Sequence, residues 1–330
     1  MNKFPIADVV IDLRYGDCGK GKVTYCLTKD SDYDYVVRWQ GGPNAGHTIY
    51  HKGKKLVTHS WPVGVFHNIT SVIGGGCVLN ERGFFEEGDY LVKAGVKEAY
   101  ENIKIAYNTH IITDDHITED SKDVRIGSCR KGVGPAYTSK FARTGKRAED
   151  IASLKEFLVD TTDILNKPDN IILFEGAQGH ELDINFGDYP YVTCSSPTIG
   201  GIFSTGVPPQ SIRHVFGLAK IYDTYVGAKD FEPNDSIFDT IREAGGEYGA
   251  TTGRPRQCNW LNWNALLKAQ KANGVTEMII NKIDVMEEVG VYKLIVNNEE
   301  LEFNNIIEMQ QWIKDHNSVK VTFSSSKVTI

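Results

Sequence analysis

The sequence predicts an α/β protein built on a largely parallel sheet, and three observations predict it. Short apolar, β-branched runs of the kind that form buried central strands alternate with longer stretches of helical periodicity. Glycine-rich turns follow directly on several of those runs, where open α/β sheets collect their ligands. No repeat, low-complexity tract or linker interrupts the 330 residues, so residues 1–330 are expected to form one elaborated domain.

The elements follow in order. "DVVIDL" makes a strand of Asp8–Leu13, and "YVVR" one of Tyr35–Arg38. Further strands are expected at Ser71–Ile73, Ile103–Tyr107, Asn170–Phe174, Val215–Tyr222 and Glu277–Ile280. Apolar residues at helical spacing predict helices at Arg82–Ala94, Asp150–Asn166, Leu261–Asn273 and Asn304–His316. Gly-rich turns at 16–21, 41–46, 74–76, 176–179 and 249–253 are expected to ring one large site.

Composition narrows the function. The hydrophobic fraction of 41% and charged fraction of 24% are those of a soluble globular protein. No apolar run has the length of a membrane span and the N-terminus lacks a signal pattern, so no membrane partner is expected. The six cysteines are scattered without metal-ligand spacing, which suits reduced thiols in a cytoplasm. A net charge of −7 argues against a nucleic-acid binder. Between Lys122 and Arg147, however, eight basic residues face one acid, Asp123, and the glycines and Pro135 among them favour a loop that holds a small anion.

The motifs carry chemistry. "GDCGKGK" follows an apolar strand and opens a plausible helix, so Gly16, Gly21 and Lys22 have the spacing of a phosphate loop, with Lys22 reaching toward the outer phosphates. Two features depart from such a loop: Val23 stands where a hydroxyl would hold Mg²⁺, and the carboxylate of Asp17 lies inside an anion cradle. "NKID" follows the apolar run "EMII", where the Asp284 carboxylate can accept from N1–H and the 2-amino group of guanine while the stem of Lys282 covers the ring. "QGGPNAGHT" presents Asn44 and His47, a side chain that exchanges a proton near neutral pH. "FEGAQG" with the following "YPYVT" offers Gln178 and Thr193, and "EYGATTGRPRQ" offers hydroxyls and two arginines suited to a carboxylate.

The ordered set "GDCGKGK", "GGPNAGHT", "IGSCRKGVGPAY", "FEGAQG…YPYVT", "TTGRPR" and "NKID", from Val9 to about Val285, resembles adenylosuccinate synthetase. The resemblance implies a P-loop-like, doubly wound core flanked by helices, with elaborated loops and small subdomains. It implies a homodimeric, GTP-dependent ligase that joins L-aspartate to C6 of a purine nucleoside monophosphate through a 6-phosphoryl intermediate. Asp17 would then be the base for the N1 proton and, with the Gly46 carbonyl, a ligand of Mg²⁺; His47, Lys20 and Gln178 would complete the catalytic set. GTP would meet Gly16, Cys18, Gly19, Lys20, Gly21, Lys22, Thr48, Lys282, Asp284 and the run Ser324, Ser325, Ser326. The monophosphate would meet Asn44, Ser128, Cys129, Gln178, Leu182, Thr193, Val226 and Arg254, with Arg143 reaching the neighbouring subunit's site. L-aspartate would meet Thr251, Thr252, Arg254 and Arg256.

The chain departs from the family pattern in its "VVIDLRYG" lead-in, in Pro43 and in Ser128–Cys129. "VIDL", "PNAGHT" and "IGS" are similar to the phage branch that makes diaminopurine DNA from dGMP, whereas "NKID" and Asp17 keep the cellular pattern. GTP-driven ligation to dGMP, in a host cytoplasm, is therefore the expected activity. IMP as substrate is the alternative, and a GTP-hydrolysing switch protein the reading from another class.

Overall fold

The computed structural model describes residues 3–249 and 253–330. Its centre is a sheet of nine strands: β1 (Ile6–Asp12), β2 (Tyr35–Arg38), β3 (Thr70–Ile73), β4 (Ile103–Ala106), β5 (Leu158–Val159), β6 (Ile171–Glu175), β7 (Ile212–Lys220), β8 (Glu277–Asn281) and β9 (Lys320–Ser324). In space they run β9-β8-β7-β1-β6-β2-β3-β4-β5, and every pairing is parallel.

Burial on both faces explains the unbroken apolar runs. On one face Ala7, Val9, Ile11 and Leu13 pack with Val37, Trp39 and Phe174. On the other Val10 meets Val36, Leu173, Leu218 and Ile279, covered by Val23 of helix α1 (Lys20–Thr28). Val23 is thus a core residue beneath the phosphate loop, which is why an apolar side chain stands there.

Chain order places the site. The chain leaves β1 through α1, lays down β2 to β5 on one side, and returns with β6 into the slot beside β1. It then builds β7, β8 and β9 on the other side. The direction of winding reverses around β1, so the loops after β1, β2, β6, β7 and β8 open at one edge, the usual position for a ligand crevice. A second, mixed sheet of Tyr222–Tyr225, Gln257–Asn262, Lys293–Val296 and Glu299–Glu302 and a hairpin of His47–His51 with Lys54–Thr58 wall that edge.

Three expected elements differ. Residues 150–166 are broken into 3₁₀ turns, strand β5 and the helix Thr161–Leu165, because Leu158–Val159 pair with the open edge of β4 and Asp160 caps the helix after them. The helix expected from Leu261 begins at Trp263; Gln257–Asn262 pair instead with Tyr222–Tyr225, and the Asn262 side chain caps the helix at Ala265 N. The strand expected through Tyr222 stops at Lys220, where the chain crosses from one sheet to the other.

Candidate active site

The central strands end in buried polar residues: Asp12 on β1, Arg38 on β2, Glu175 on β6, Lys220 on β7, Asn281 on β8 and Ser324 on β9. Above them lie two adjoining cavities of about 460 and 510 Å³, which share Asp17, Asn44, Gly46, Gln178, Leu182 and Val226. The first reaches Lys282, Asp284 and Ser326; the second reaches Ser128, Cys129, Thr193 and Arg254.

The phosphate loop is built around a carboxylate of its own. Gly16, Asp17 and Gly19 have φ of 90°, 58° and 93°, so the turn needs left-handed backbone three times in four residues. Asp12 fills its interior, accepting from the amides of Gly16 (3.2 Å) and Cys18 (3.0 Å) and from Lys20 Nζ (3.1 Å). Lys20 also donates to the Gln178 carbonyl at 2.6 Å, tying the loop to the turn after β6. The first turn of α1 has no side-chain cap, which leaves its amides, with the helix dipole, to an incoming phosphate.

Lys22, expected on the phosphates, lines the first cavity with its amine already engaged. Its amine donates to Asn281 Oδ1 (2.5 Å), Ser324 Oγ (2.9 Å) and the Ser326 carbonyl (2.9 Å), and burial lowers its pKa to about 8. Asn281 Nδ2 in turn donates to the Cys18 carbonyl at 2.7 Å. The phosphate loop, the "NKID" strand and the C-terminal segment are therefore one hydrogen-bonded unit.

His47 faces the first cavity from the hairpin. Its Nδ1 makes a short hydrogen bond to Glu175, whose carboxylate also accepts from Arg38 Nη2 (2.6 Å) and Val63 N (2.7 Å). This geometry assigns the proton to Nδ1 and leaves Nε2 for a ligand. Burial, with Arg38 Nη2 3.2 Å from Nδ1, lowers the His47 pKa to about 4 against the pull of Glu175. Burial alone would raise the Glu175 pKa, but Arg38 and His47 outweigh it and hold it at about 2.

Asp17 is 39% exposed at its side chain, lines both cavities, and pairs with Arg256 Nη2 at 2.9 Å. Gln178 also lines both cavities, has φ of 52°, and leaves its buried Oε1 without a protein partner. Strained backbone at two polar residues and an unmet acceptor are the marks of a site shaped for a ligand. The donor set also suits Mg²⁺, which takes oxygen ligands and is commonly held by one carboxylate plus substrate phosphates. Asp17 and the Gly46 loop supply such oxygens at the junction of the cavities. Among the described residues no cluster of three or more His, Cys, Asp or Glu side chains forms an all-protein metal cage.

The remaining expected residues divide. Asn44 accepts from Gly42 N (3.1 Å), Ser128 donates to Asp120 (2.9 Å), and Arg254 Nη2 donates to the Gly127 carbonyl (2.9 Å). Leu182, Thr193 and Val226 line the second cavity, and Thr48 and Lys282 the first. Arg143, at the exposed C-terminus of the helix Val133–Ala142, lines neither cavity, and nor does Ser325. Thr251 and Thr252 lie outside the described residues. Sequence reasoning passed over Asp12, Arg38, Glu175, Lys220 and Glu247. The first four close strands of the central sheet, so in the sequence they read as ordinary strand ends.

A family model described as adenylosuccinate synthetase matches residues 9–167 and 149–327. Among curated relatives, the adenylosuccinate synthetase of Fusobacterium nucleatum is 38% identical over 341 aligned positions, covering 87% of this chain and 79% of that protein. That of Listeria monocytogenes is 36% identical, covering 93% and 83%. Among solved structures, the fully ligated adenylosuccinate synthetase of Plasmodium falciparum superposes with a TM-score of 0.80 at 30% identity, over 90% of this chain and 83% of that one. The succinoaminodeoxyadenylate synthetase of cyanophage S-2L, bound to dGMP and dATP as an energy donor, superposes with a TM-score of 0.71 over 95% and 99% of the two chains; at 20% identity it shares the fold.

Proposed function

The chain belongs to the adenylosuccinate synthetase family, ligases that form a C–N bond between aspartate and a purine nucleotide, and on that premise we propose that it joins L-aspartate to dGMP with GTP as donor. The products are 2-amino-2′-deoxy-N6-succinyladenylate, GDP and phosphate. The observation that carries the choice of dGMP is the "VIDL" lead-in, which is similar to the diaminopurine branch. Its Asp12 holds the loop amides from within, so this lead-in shapes the surroundings of Asp17.

In this reading Asp17 accepts the N1 proton of the purine. O6 then attacks the γ-phosphorus of GTP and the bond to GDP breaks. Guanine carries a 2-amino group beside N1–H, and the two oxygens of Asp17 can accept from both, as Asp284 does for the donor base. His47 donates from Nε2 to O6 and to the transferring phosphoryl group; Glu175 and the arriving triphosphate charge both favour the imidazolium this needs. The aspartate amine next attacks C6, the C6–O bond breaks, phosphate leaves, and the amine sheds its proton. Transfer of this kind needs positioning and charge neutralisation more than covalent help. Amides of α1 and Lys20 supply part of it, and Mg²⁺ held by Asp17 and Gly46 would neutralise charge on the phosphates. Asn44, Gln178, Thr193 and Arg254 hold the monophosphate, Arg256 the aspartate carboxylate, and Arg143 serves the neighbouring subunit of a homodimer.

IMP as the substrate is the second reading, favoured by curated relatives at 36–38% identity that are adenylosuccinate synthetases. The test is direct. Enzyme, GTP, Mg²⁺ and L-aspartate are incubated with dGMP or with IMP, and succinylated product is followed by mass. Product from dGMP is expected; product from IMP alone would overturn the choice.

A further inference from the structure

A further buried carboxylate, at the head of the "EYGATTGRPRQ" run, lies behind the first cavity, and the steps above do not use it. Glu247 follows the helix Ile237–Gly245 and is fully buried. Its Oε1 accepts from the Tyr222 hydroxyl (2.7 Å) and lies 3.9 Å from Lys282 Nζ; its Oε2 accepts from Lys220 Nζ (3.1 Å) and Arg256 Nη1 (2.5 Å). Lys220 also donates to Thr224 Oγ1. Three cations thus converge on one anion, and all three line the cavity.

We infer that Glu247 is a positioning residue for the ligase reaction: it fixes Arg256 against Asp17 at one end of the cavity and Lys282 beside the donor base at the other.

The geometry of Arg256 gives the reason. A guanidinium is planar, so anchoring Nη1 on Glu247 fixes where Nη2 points. Here Nη2 points to Asp17 at 2.9 Å, and Nε is buried without a partner. The same fork edge meets the carboxylate of L-aspartate once Asp17 turns to the purine. At the other end Lys282 is an N-cap residue with φ of 70°, and its amine is held by the Gly245 carbonyl at 2.5 Å, two residues before Glu247. The turn carrying Glu247 therefore sets the stem that covers the donor base. Three cations against one buried anion also leave positive charge directed into the cavity, where anionic substrates arrive.

The inference rests on the ligase reading, and its test separates the two. Glu247→Asp keeps the charge that Lys220 needs and withdraws the carboxylate by one methylene; Tyr222→Phe removes one hydrogen bond and leaves every ion pair. For Glu247→Asp the KM for L-aspartate should rise roughly tenfold or more, since a displacement of about 1 Å can cost ~10²-fold. The preference for GTP over ATP should fall several-fold in the same variant. Tyr222→Phe should move both quantities in the same direction by less. A carboxylate that only neutralised Lys220 would lower the unfolding temperature and leave both quantities at wild-type values, and that result overturns the inference. Wild-type turnover reports on the ligase reading alone. Should neither monophosphate be turned over, the ratio of GDP to ADP affinity by calorimetry in wild type and Glu247→Asp still decides, and an unchanged ratio contradicts the role.

Discussion

In the proposed mechanism two carboxylates act from opposite settings. Asp17 stands at the junction of the cavities, partly exposed, with one guanidinium as its partner. Replacing it by Asn keeps the turn and removes the proposed base, so turnover should fall by at least ~10²–10⁴-fold, the range for a lost general base, while GDP binding by calorimetry stays within a few-fold of wild type. Glu175 is buried and acts through His47. Glu175→Gln should cut turnover by roughly 10²-fold, because the amide no longer favours the imidazolium and can turn its NH₂ toward Nδ1. The His47 pKa of about 4 has a consequence for stability. The unfolded chain binds this proton with a pKa near 6.5. The neutral ring therefore contributes fully above that value, and its contribution is lost as pH falls from about 6.5 toward 4. Replacing His47 by Gln should flatten the fall in unfolding temperature across this window; an unchanged slope would mean that the ring is already charged in the fold. Asp17 and His47 were legible in the sequence because glycines surround them in polar loops. Glu175 and Arg38 were not, because as the last residues of apolar runs they read as strand ends.

Elements bring these residues together through close approach. Helix α1 crosses the start of the hairpin so tightly that a Cβ on Gly21 would lie 2.7 Å from His47 Cβ and 3.3 Å from His47 Cα. Gly21→Ala should therefore displace His47 and reduce turnover by tenfold or more, at a stability cost of about 1–3 kcal/mol from overpacking, both read from kinetics and thermal unfolding of one preparation. Gly200, with nothing near its Cβ and no left-handed backbone, gives the comparison on packing alone. The central strands were legible as elements since burial on both faces leaves an unbroken apolar run. Residues 150–166 were not: their helical spacing yields to strand pairing with β4, which no local pattern announces. The start of the helix at Trp263 was hidden for the same reason, the preceding residues being claimed by a partner strand distant in sequence.

At the scale of the molecule, the reversal of winding around β1 puts two adjoining cavities beside one glycine-rich loop, the first proposed for the donor base and the second for the monophosphate. Asp284→Asn should lower the preference for GTP over ATP by roughly tenfold or more, the worth of hydrogen bonds to a charged acceptor, with little change in the KM for L-aspartate. The α/β class and the glycine loops at one edge could be read from the sequence, because strand termini and turns are local. The tie of Lys22 to Asn281, Ser324 and Ser326 could not, since it joins the two ends of the chain. In the proposed mechanism O6 of the purine is phosphorylated before aspartate displaces it. The most direct measurement uses purine monophosphate carrying ¹⁸O at C6, with GTP, Mg²⁺ and L-aspartate, and determines the mass of the phosphate released. Phosphate bearing one ¹⁸O for each succinylated product is the predicted result. Unlabelled phosphate would contradict it, with the ¹⁸O passing to water as succinylated product forms or staying in unreacted monophosphate while GTP is hydrolysed.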